Sequence, residues 1–295
     1  MSPITVVEGR RLSLTNLDKV LYPRTGTTKG ELLHYYATTA GALLAHVHDR
    51  PVSFLRYPDG PGGQQFFTKN VPPGTPAWVK TTEVPGSTAK SRQQVLVRDV
   101  PTLMWAANLV VELHTPQWTA AAPRSADRLV FDLDPGVPAT IVECCGVARW
   151  LRERLAADGL DVYAKTSGSK GLHILVPIEP TPSDDVTAYA KAIAVEAERT
   201  LPGHVVHRMT KALRPGKVFI DFSQNSASKT TAAPYTVRAR ELPTVSTPVS
   251  WDEIEACTDP EQLTFLFDAV AERRERHGDL LAPLLNLNRA RPLPG

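Results

Sequence analysis

Hydrophobic positions change their period along this chain, and each period predicts an element. In "TKGELLHYYATTAGALLAHV", Leu32, Tyr36, Ala40 and Leu44 recur at helical intervals behind Thr28 and Glu31, which have capping-box spacing. A helix over about 28–47 follows from that pattern. "RPVSFLRYPDGPGGQQFFTKN" predicts a strand around 52–57, a Pro/Gly turn and a second short strand through Phe66 and Phe67. "LMWAANLVVELHTPQW" reads as a helix running into a strand that alternates Val110, Glu112 and His114 with Val111 and Leu113.

"RLVFDLDPG" is an apolar strand carrying two aspartates and ending at a Pro-Gly turn. In "TIVECCGVARWLRERLAADG", Ile141, Cys145, Ala148, Leu151 and Leu155 share a helical stripe, and Gly159 stops it. "VYAKTSGSKGLHILVPI" predicts strand, loop and strand; a helix follows near 183–200, then the strand "KVFIDFSQN". The last predicted helix runs through "EQLTFLFDAVAERRERHG" into a Pro-rich tail. Strands and helices alternate irregularly, which favours an α+β arrangement over a doubly wound sheet.

Length and composition narrow the class. With 295 residues, 42% hydrophobic and 22% charged, the chain can bury a sizeable core. No apolar run approaches the roughly 20 residues of a membrane span, and the first twenty residues hold no continuous apolar stretch of a secretory signal. The expectation is a cytoplasmic protein without a membrane partner. Three cysteines without a C-x-x-C pair read as core residues. A net charge of +2 means that any nucleic-acid partner must be held by a local patch.

Candidate chemistry centres on "VFDLDPG". Strand alternation puts Asp132 and Asp134 on one face and Phe131 and Leu133 on the other. Two adjacent carboxylates repel unless a cation lies between them, so the pair suits Mg²⁺ or Mn²⁺, unless Asp134-Pro135-Gly136 is only a turn. Asp221, expected mid-strand opposite Val218, Ile220 and Phe222, is a candidate third ligand. Together they would make a two-metal site for phosphoryl transfer.

"TSGSKG" is a small-residue loop whose amides could form an anion nest with Lys170 as countercharge, and it lacks Walker A spacing. His173 lies just beyond it, on the strand face opposite Leu172, Ile174 and Val176, and His114 in "VELHTPQW" shares a strand face with a polar neighbour. Lys29 sits in the first turn of a helix, where an anion is favoured, with Asn16 and Lys19 available to supplement it. One of Phe66 and Phe67, beside Lys69, is suited to base stacking.

The ordered set "LTNLDKVLYP", "RLVFDLDPG", "TSGSKGLH" and "MTKALRPGKVFIDFSQNSASKTTAAPYTVRAR" resembles the polymerase domain of bacterial LigD-type end-joining proteins, in the archaeo-eukaryotic primase superfamily. The resemblance implies a primase-like core of two mixed or antiparallel sheets flanked by helices, in two closely packed lobes. It implies one domain over 1–295: an N-terminal lobe over 1–125, a catalytic core over 126–245 and a C-terminal helical segment over 246–295.

By the same resemblance, Asp132, Asp134 and Asp221 are the catalytic, metal-binding carboxylates for two Mn²⁺ or Mg²⁺ ions. His114, Ser167, Lys170, Gln224 and Arg238 bind the NTP or dNTP. Asn16, Lys19 and Lys29 hold a recessed 5′-phosphate, Phe66 and Phe67 stack on template bases, and Arg214 is a basic residue near template or metal. The implied activity is template-directed gap filling and end extension in non-homologous end joining, with a taste for ribonucleotides. The implied partners are gapped or broken duplex DNA bearing a 5′-phosphate, a Ku-type end-binding protein and an ATP-dependent ligase, in association with the nucleoid.

Two departures stand out. Leu55 precedes Arg56 where some relatives carry another basic residue, and no K-x-D-G ligase motif occurs in the chain, so sealing is left to another domain or protein. The same active site would serve excision-repair gap filling or priming. A haloacid-dehalogenase-type phosphotransferase also uses a strand-end D-x-D, but near its N-terminus and without the Pro-Gly that follows here. A non-catalytic end-bridging module would use the same lysines, yet three aspartates facing a polyanion weaken binding unless metals neutralise them.

Overall fold

The computed structural model describes residues 4–85 and 92–294. The first part of the chain holds β1 (Ile4–Val7), β2 (Arg10–Ser13), β3 (Val20–Tyr22), β4 (Thr27–Thr28) and α1 (Lys29–Val47). There follow β5 (Pro51–Arg56), β6 (Phe66–Thr68), β7 (Thr81–Val84), β8 (Arg92–Leu96), α2 (Val100–Asn108) and β9 (Val111–Thr115). The middle holds β10 (Ser125–Pro135), α3 (Ile141–Ala157), β11 (Tyr163–Thr166), β12 (Leu172–Pro182) and α4 (Ser183–Thr200). The last elements are β13 (Val205–Val206), β14 (Val218–Asp221), β15 (Thr231–Ala232), β16 (Pro248–Val249), α5 (Trp251–Ala256) and α6 (Phe267–His277).

These elements form two compact units: Met1–Thr115 with Ala232–Ser246 and Phe265–Gly278, and Pro116–Thr231 with Thr247–Thr264 and Asp279–Gly295. The chain thus changes unit at Pro116 rather than near 126, and the 246–295 stretch is shared, α6 going to the first unit and α5 to the second.

In the first unit, α1 starts at the expected capping box, with Thr28 and Glu31 exchanging hydrogen bonds. Its Leu32, Tyr36 and Leu43 are buried against Val52 and Phe54 of β5, Leu103 of α2 and Leu113 of β9. The sheet runs β15, β9, β5, β8, β7, with β6 paired to β5. Two tyrosines tie down the returning segment: Tyr22 donates to the Arg238 carbonyl at 2.9 Å and Tyr35 to the Tyr235 carbonyl at 2.8 Å.

In the second unit a mixed sheet runs β13, β14, β10, β12, β11, β16, with only β13 and β14 parallel. The stripe on α3 is buried as its period predicts. Asn225 fastens the end of β14 to β10, accepting from the Val130 amide at 2.8 Å and donating to its carbonyl at 2.7 Å. That double bond holds the two aspartate strands side by side.

Two local expectations are corrected. Asp221 is the last residue of β14, not mid-strand, because its side chain accepts from the Ser223 amide and caps the turn Phe222–Asn225. The predicted last helix splits: Asp259 and Gln262 cap a short turn over Pro260–Leu263. The chain then stays extended, with Val245 donating to the Phe265 carbonyl and Phe267 to that of Pro243, before α6 begins.

Candidate active site

Asp132 on β10 is the register partner of Asp221 on β14, and Asp134 stands two residues along on the same face. Three carboxylates therefore share one patch of the second unit. Burial, then Asp132, and also Asp221, push the Asp134 carboxyl up to about 6 against the lowering pull of Lys170 and Arg214. Such crowding is what a divalent cation relieves, and carboxylates are hard oxygen donors, so the residues fit Mg²⁺ or Mn²⁺.

Among the described residues no three His, Cys, Asp or Glu side chains converge as a ready set of ligands. The side chains have local partners instead. Asp221 accepts from the Ser223 hydroxyl at 2.5 Å and from the Gln224 amide at 2.8 Å, and Asp132 Oδ1 lies 3.3 Å from His173 Nε2.

Two loops close over the end of β10, each admitted by a glycine. A Cβ at Gly171 would overlap the Leu133 carbonyl oxygen, and one at Gly136 would overlap that of Arg214. The first contact brings in the 166–171 loop, where Lys170 Nζ donates to the Pro135 carbonyl at 3.0 Å. Its amides are partly committed, since Ser167 Oγ accepts from Ser169 and Gly171 at 3.2 Å each; the full anion nest expected of this loop is not formed. The second contact brings in Arg214, whose guanidinium lies 3.6 Å over the Phe219 ring and donates to the Met209 carbonyl. Its Nε is buried without a partner, and Phe219 is the register partner of Asp134.

The first unit carries a second polar cluster. Glu112 Oε2 lies 2.9 Å from both His114 Nε2 and Arg238 Nε, while Oε1 accepts from the Ala239 amide at 2.6 Å. Glu112 is 1% exposed. Burial works to raise its carboxyl, but the His114 hydrogen bond, the Arg238 charge and the Ala239 amide outweigh it and hold the group at about 2. Phe67 meets the His114 ring edge-on at 6.0 Å. Phe66 and Phe67 are 45% and 53% exposed, so both aromatics remain open to a stacking partner.

Asn16, Lys19 and Lys29 do come together. Lys19 donates its amide to the Asn16 carbonyl at 3.0 Å, and Lys29 donates its amide to the Lys19 carbonyl at 2.8 Å. Asn16 turns the chain with a φ of 55°. Lys19 Nζ pairs with Asp59 at 2.6 Å, whereas Lys29 is 5% exposed and reaches only Thr15 Oγ1, at 3.4 Å. Burial first, then the Lys19 charge, bring Lys29 down to about 8. A cavity of about 590 Å³, lined in part by Arg24, Asp59, Gln65 and Arg240, opens beside the Lys19–Asp59 pair.

Sequence reasoning missed two residues here, Glu112 and Lys165. Each is a lone charge in a strand, which reads as solvent-facing. The returning 232–246 segment brings Arg238 to Glu112, which also meets His114, and cross-strand register sets Lys165, 1% exposed, 2.9 Å from His173 Nδ1. The available signal for Glu112 was its i, i+2 spacing from His114. The three cysteines are free and buried, as the core reading expects. Among the described residues no helix is long and apolar enough to cross a membrane.

Comparison with known proteins gives a consistent result. Residues 28–281 match the family described as LigD, primase-polymerase domain. The chain is 42% identical over 278 residues to the multifunctional non-homologous end joining protein LigD of Mycolicibacterium smegmatis, covering 93% of this chain and 36% of that protein. It is 29% identical over 271 residues to the bifunctional LigD of Bacillus subtilis, covering 91% and 43%. The polymerase domain of Mycobacterium tuberculosis ligase D, solved in complex with DNA, superposes with a TM-score of 0.88 at 41% identity, covering 93% of this chain and 98% of that one. The chain thus spans less than half the length of these curated relatives, 36% and 43%.

Proposed function

The chain belongs to the LigD primase-polymerase family, a nucleotidyltransferase class that uses nucleotides and divalent metal, and we propose that it fills short gaps and extends ends at broken duplex DNA in end joining. The register of Asp132 with Asp221, with Asp134 beside them, carries this reading.

In it, Asp132, Asp134 and Asp221 hold two divalent cations, preferably Mn²⁺. When bound, such ions lower the pKa of a primer 3′-hydroxyl and neutralise the triphosphate. The chain's own residues do the positioning. Ser167 orders its loop and Lys170, anchored on the Pro135 carbonyl, presents positive charge beside Asp134. Gln224 orients Asp221 in the second unit, and in the first unit Glu112 keeps His114 and Arg238, the other candidate nucleotide-binding residues, in fixed orientation. Arg214 is the basic residue near template or metal, and its charge already acts on Asp134.

Lys29, Lys19 and Asn16 form the 5′-phosphate pocket, and the low exposure of Lys29 at a helix start supports an anion there. Phe66 and Phe67 stack on template bases. Ribonucleotides are the preferred substrate, a Ku-type protein and an ATP-dependent ligase are the partners, and the site of action is the nucleoid.

Extension of a labelled primer across a short gap bearing a 5′-phosphate tests the reading, with Mn²⁺ or Mg²⁺ and ribo- or deoxyribonucleotides. Templated extension that disappears in Asp132→Ala supports it; gap binding without extension by either protein overturns it in favour of end bridging.

A further inference from the structure

A single row of side chains crosses four strands of the second unit. Asp221 on β14 is the register partner of Asp132 on β10, Asp132 of His173 on β12, and His173 of Lys165 on β11. Residues directly opposite in antiparallel pairs share a face and touch, and here the contacts are close. Lys165 Nζ lies 2.9 Å from His173 Nδ1, and His173 Nε2 lies 3.3 Å from Asp132 Oδ1. Lys165 is 1% and His173 4% exposed, so water does not mediate freely between them. The lysine's strand is itself clamped, Thr166 donating its amide to the Thr247 carbonyl at 2.8 Å and accepting the Thr247 amide at 3.0 Å.

The chemistry of the row has a direction. With Lys165 charged, its ammonium has three donors and no acceptor, so the nitrogen it faces offers a lone pair. With Nδ1 accepting, the imidazole hydrogen sits on Nε2, pointing at Asp132. We propose that Lys165 is a positioning residue for phosphoryl transfer: it locks His173 in the Nε2–H tautomer and through it fixes the Asp132 carboxylate in the orientation in which it binds a cation. This rests on Asp132 being a cation ligand. Outer partners of ligands commonly contribute this way, with about 10–100-fold effects on metal affinity. A purely structural lysine is the competing account, since a Met of similar length would fill the same space.

The test uses the whole chain with ¹⁵N-labelled histidine, the His173 signals being assigned by their absence in His173→Gln. The expected result is an unprotonated Nδ1 and a protonated Nε2 in the wild type and in Lys165→Arg, and loss of that tautomer preference in Lys165→Met. Mn²⁺ affinity, read by electron paramagnetic resonance without DNA or nucleotide, should fall about 10–100-fold in Lys165→Met and recover in Lys165→Arg.

A wild-type His173 protonated on Nδ1 overturns the proposal, as does a folded Lys165→Met with unchanged tautomer and unchanged Mn²⁺ affinity. If Lys165→Met does not fold, the wild-type and Lys165→Arg spectra decide. Failure of primer extension in the wild type would instead sink the polymerase reading, and the tautomer result stands apart from it.

Discussion

Asp132 and Asp221 face each other as register partners on β10 and β14, and Asp134 stands next on the same face, where burial and its neighbours' charges oppose its ionisation. Its value of about 6 lies above the ordinary carboxylate range, so the folded state binds the proton more tightly than the unfolded chain. Its contribution therefore opposes folding once pH rises through about 6. Asp134→Asn should raise the stability of the metal-free protein at neutral pH by about 1–2 kcal/mol, while cutting nucleotide incorporation on the order of 100-fold or more. Thermal melts in chelator beside primer extension check both halves; a variant that gains no stability would show that the carboxylates do not repel.

Glu112 leads to the opposite sign. Held at about 2, it stabilises the fold fully above the ordinary glutamate value, and that stabilisation is lost as pH falls from about 4.5 to 2. Glu112→Gln removes the buried charge that Arg238 and His114 face and should cost about 3 kcal/mol at neutral pH. The variant should also lose part of the acid-labile stability seen in wild type. Denaturant titrations at pH 7 and near pH 3 measure the difference, and equal losses at both would contradict the assignment.

In the proposed 5′-phosphate pocket, Lys29 would link pH to ligand binding. Its value near 8 means that the unfolded chain holds the proton more tightly between about 8 and 10.5, so this group's contribution to stability rises with pH across that window. A phosphate needs the charged form. The advantage of a 5′-phosphorylated over a 5′-hydroxyl gap should therefore shrink as pH climbs through 8, and proton uptake should accompany binding there. Lys29→Met should erase that advantage and gain about 1 kcal/mol of stability. Titrations with both DNAs over this range test it.

Gly171 ties the 166–171 loop to β10, because any Cβ there meets the Leu133 carbonyl. Gly171→Ala should cost about 1–3 kcal/mol and displace Lys170 from Pro135, raising the nucleotide KM. Melting and steady-state kinetics read the two effects, and an unchanged KM would separate Lys170 from nucleotide binding.

The local layers of this structure were legible before the fold. Thr28 and Glu31 announced α1, the Ile141-to-Leu155 stripe announced α3, and strand alternation put Asp132 and Asp134 on one face. What sequence could not carry was register. Lys165 looks like a solvated strand charge until His173 is placed opposite it, and Glu112 until the 232–246 segment brings Arg238 and the Ala239 amide to it; a one-residue slip would move either to the other face. For the same reason Asp221 reads as mid-strand: "KVFIDFSQN" alternates cleanly through Phe222, and only the hydrogen bond from the Ser223 amide ends the strand. The division of 246–295 between two units was likewise hidden, since it depends on where Phe265 and Trp251 find partners.

Phe66 and Phe67 separate binding from stability. Both are about half exposed, so their removal should move stability by no more than about 0.5 kcal/mol. Base stacking on an aromatic is worth about 1–3 kcal/mol, so each alanine variant that loses a stacked base should bind a single-stranded template overhang about 5–150-fold more weakly. The two should differ in a second respect. Phe67 supports the His114 ring edge-on, so Phe67→Ala should also raise the nucleotide KM, while Phe66→Ala should leave it unchanged. Overhang affinity and KM measured on both variants distinguish the roles. An overhang affinity unchanged in both would remove stacking from the function of this hairpin, and a KM raised equally in both would remove the special part given to the Phe67–His114 contact.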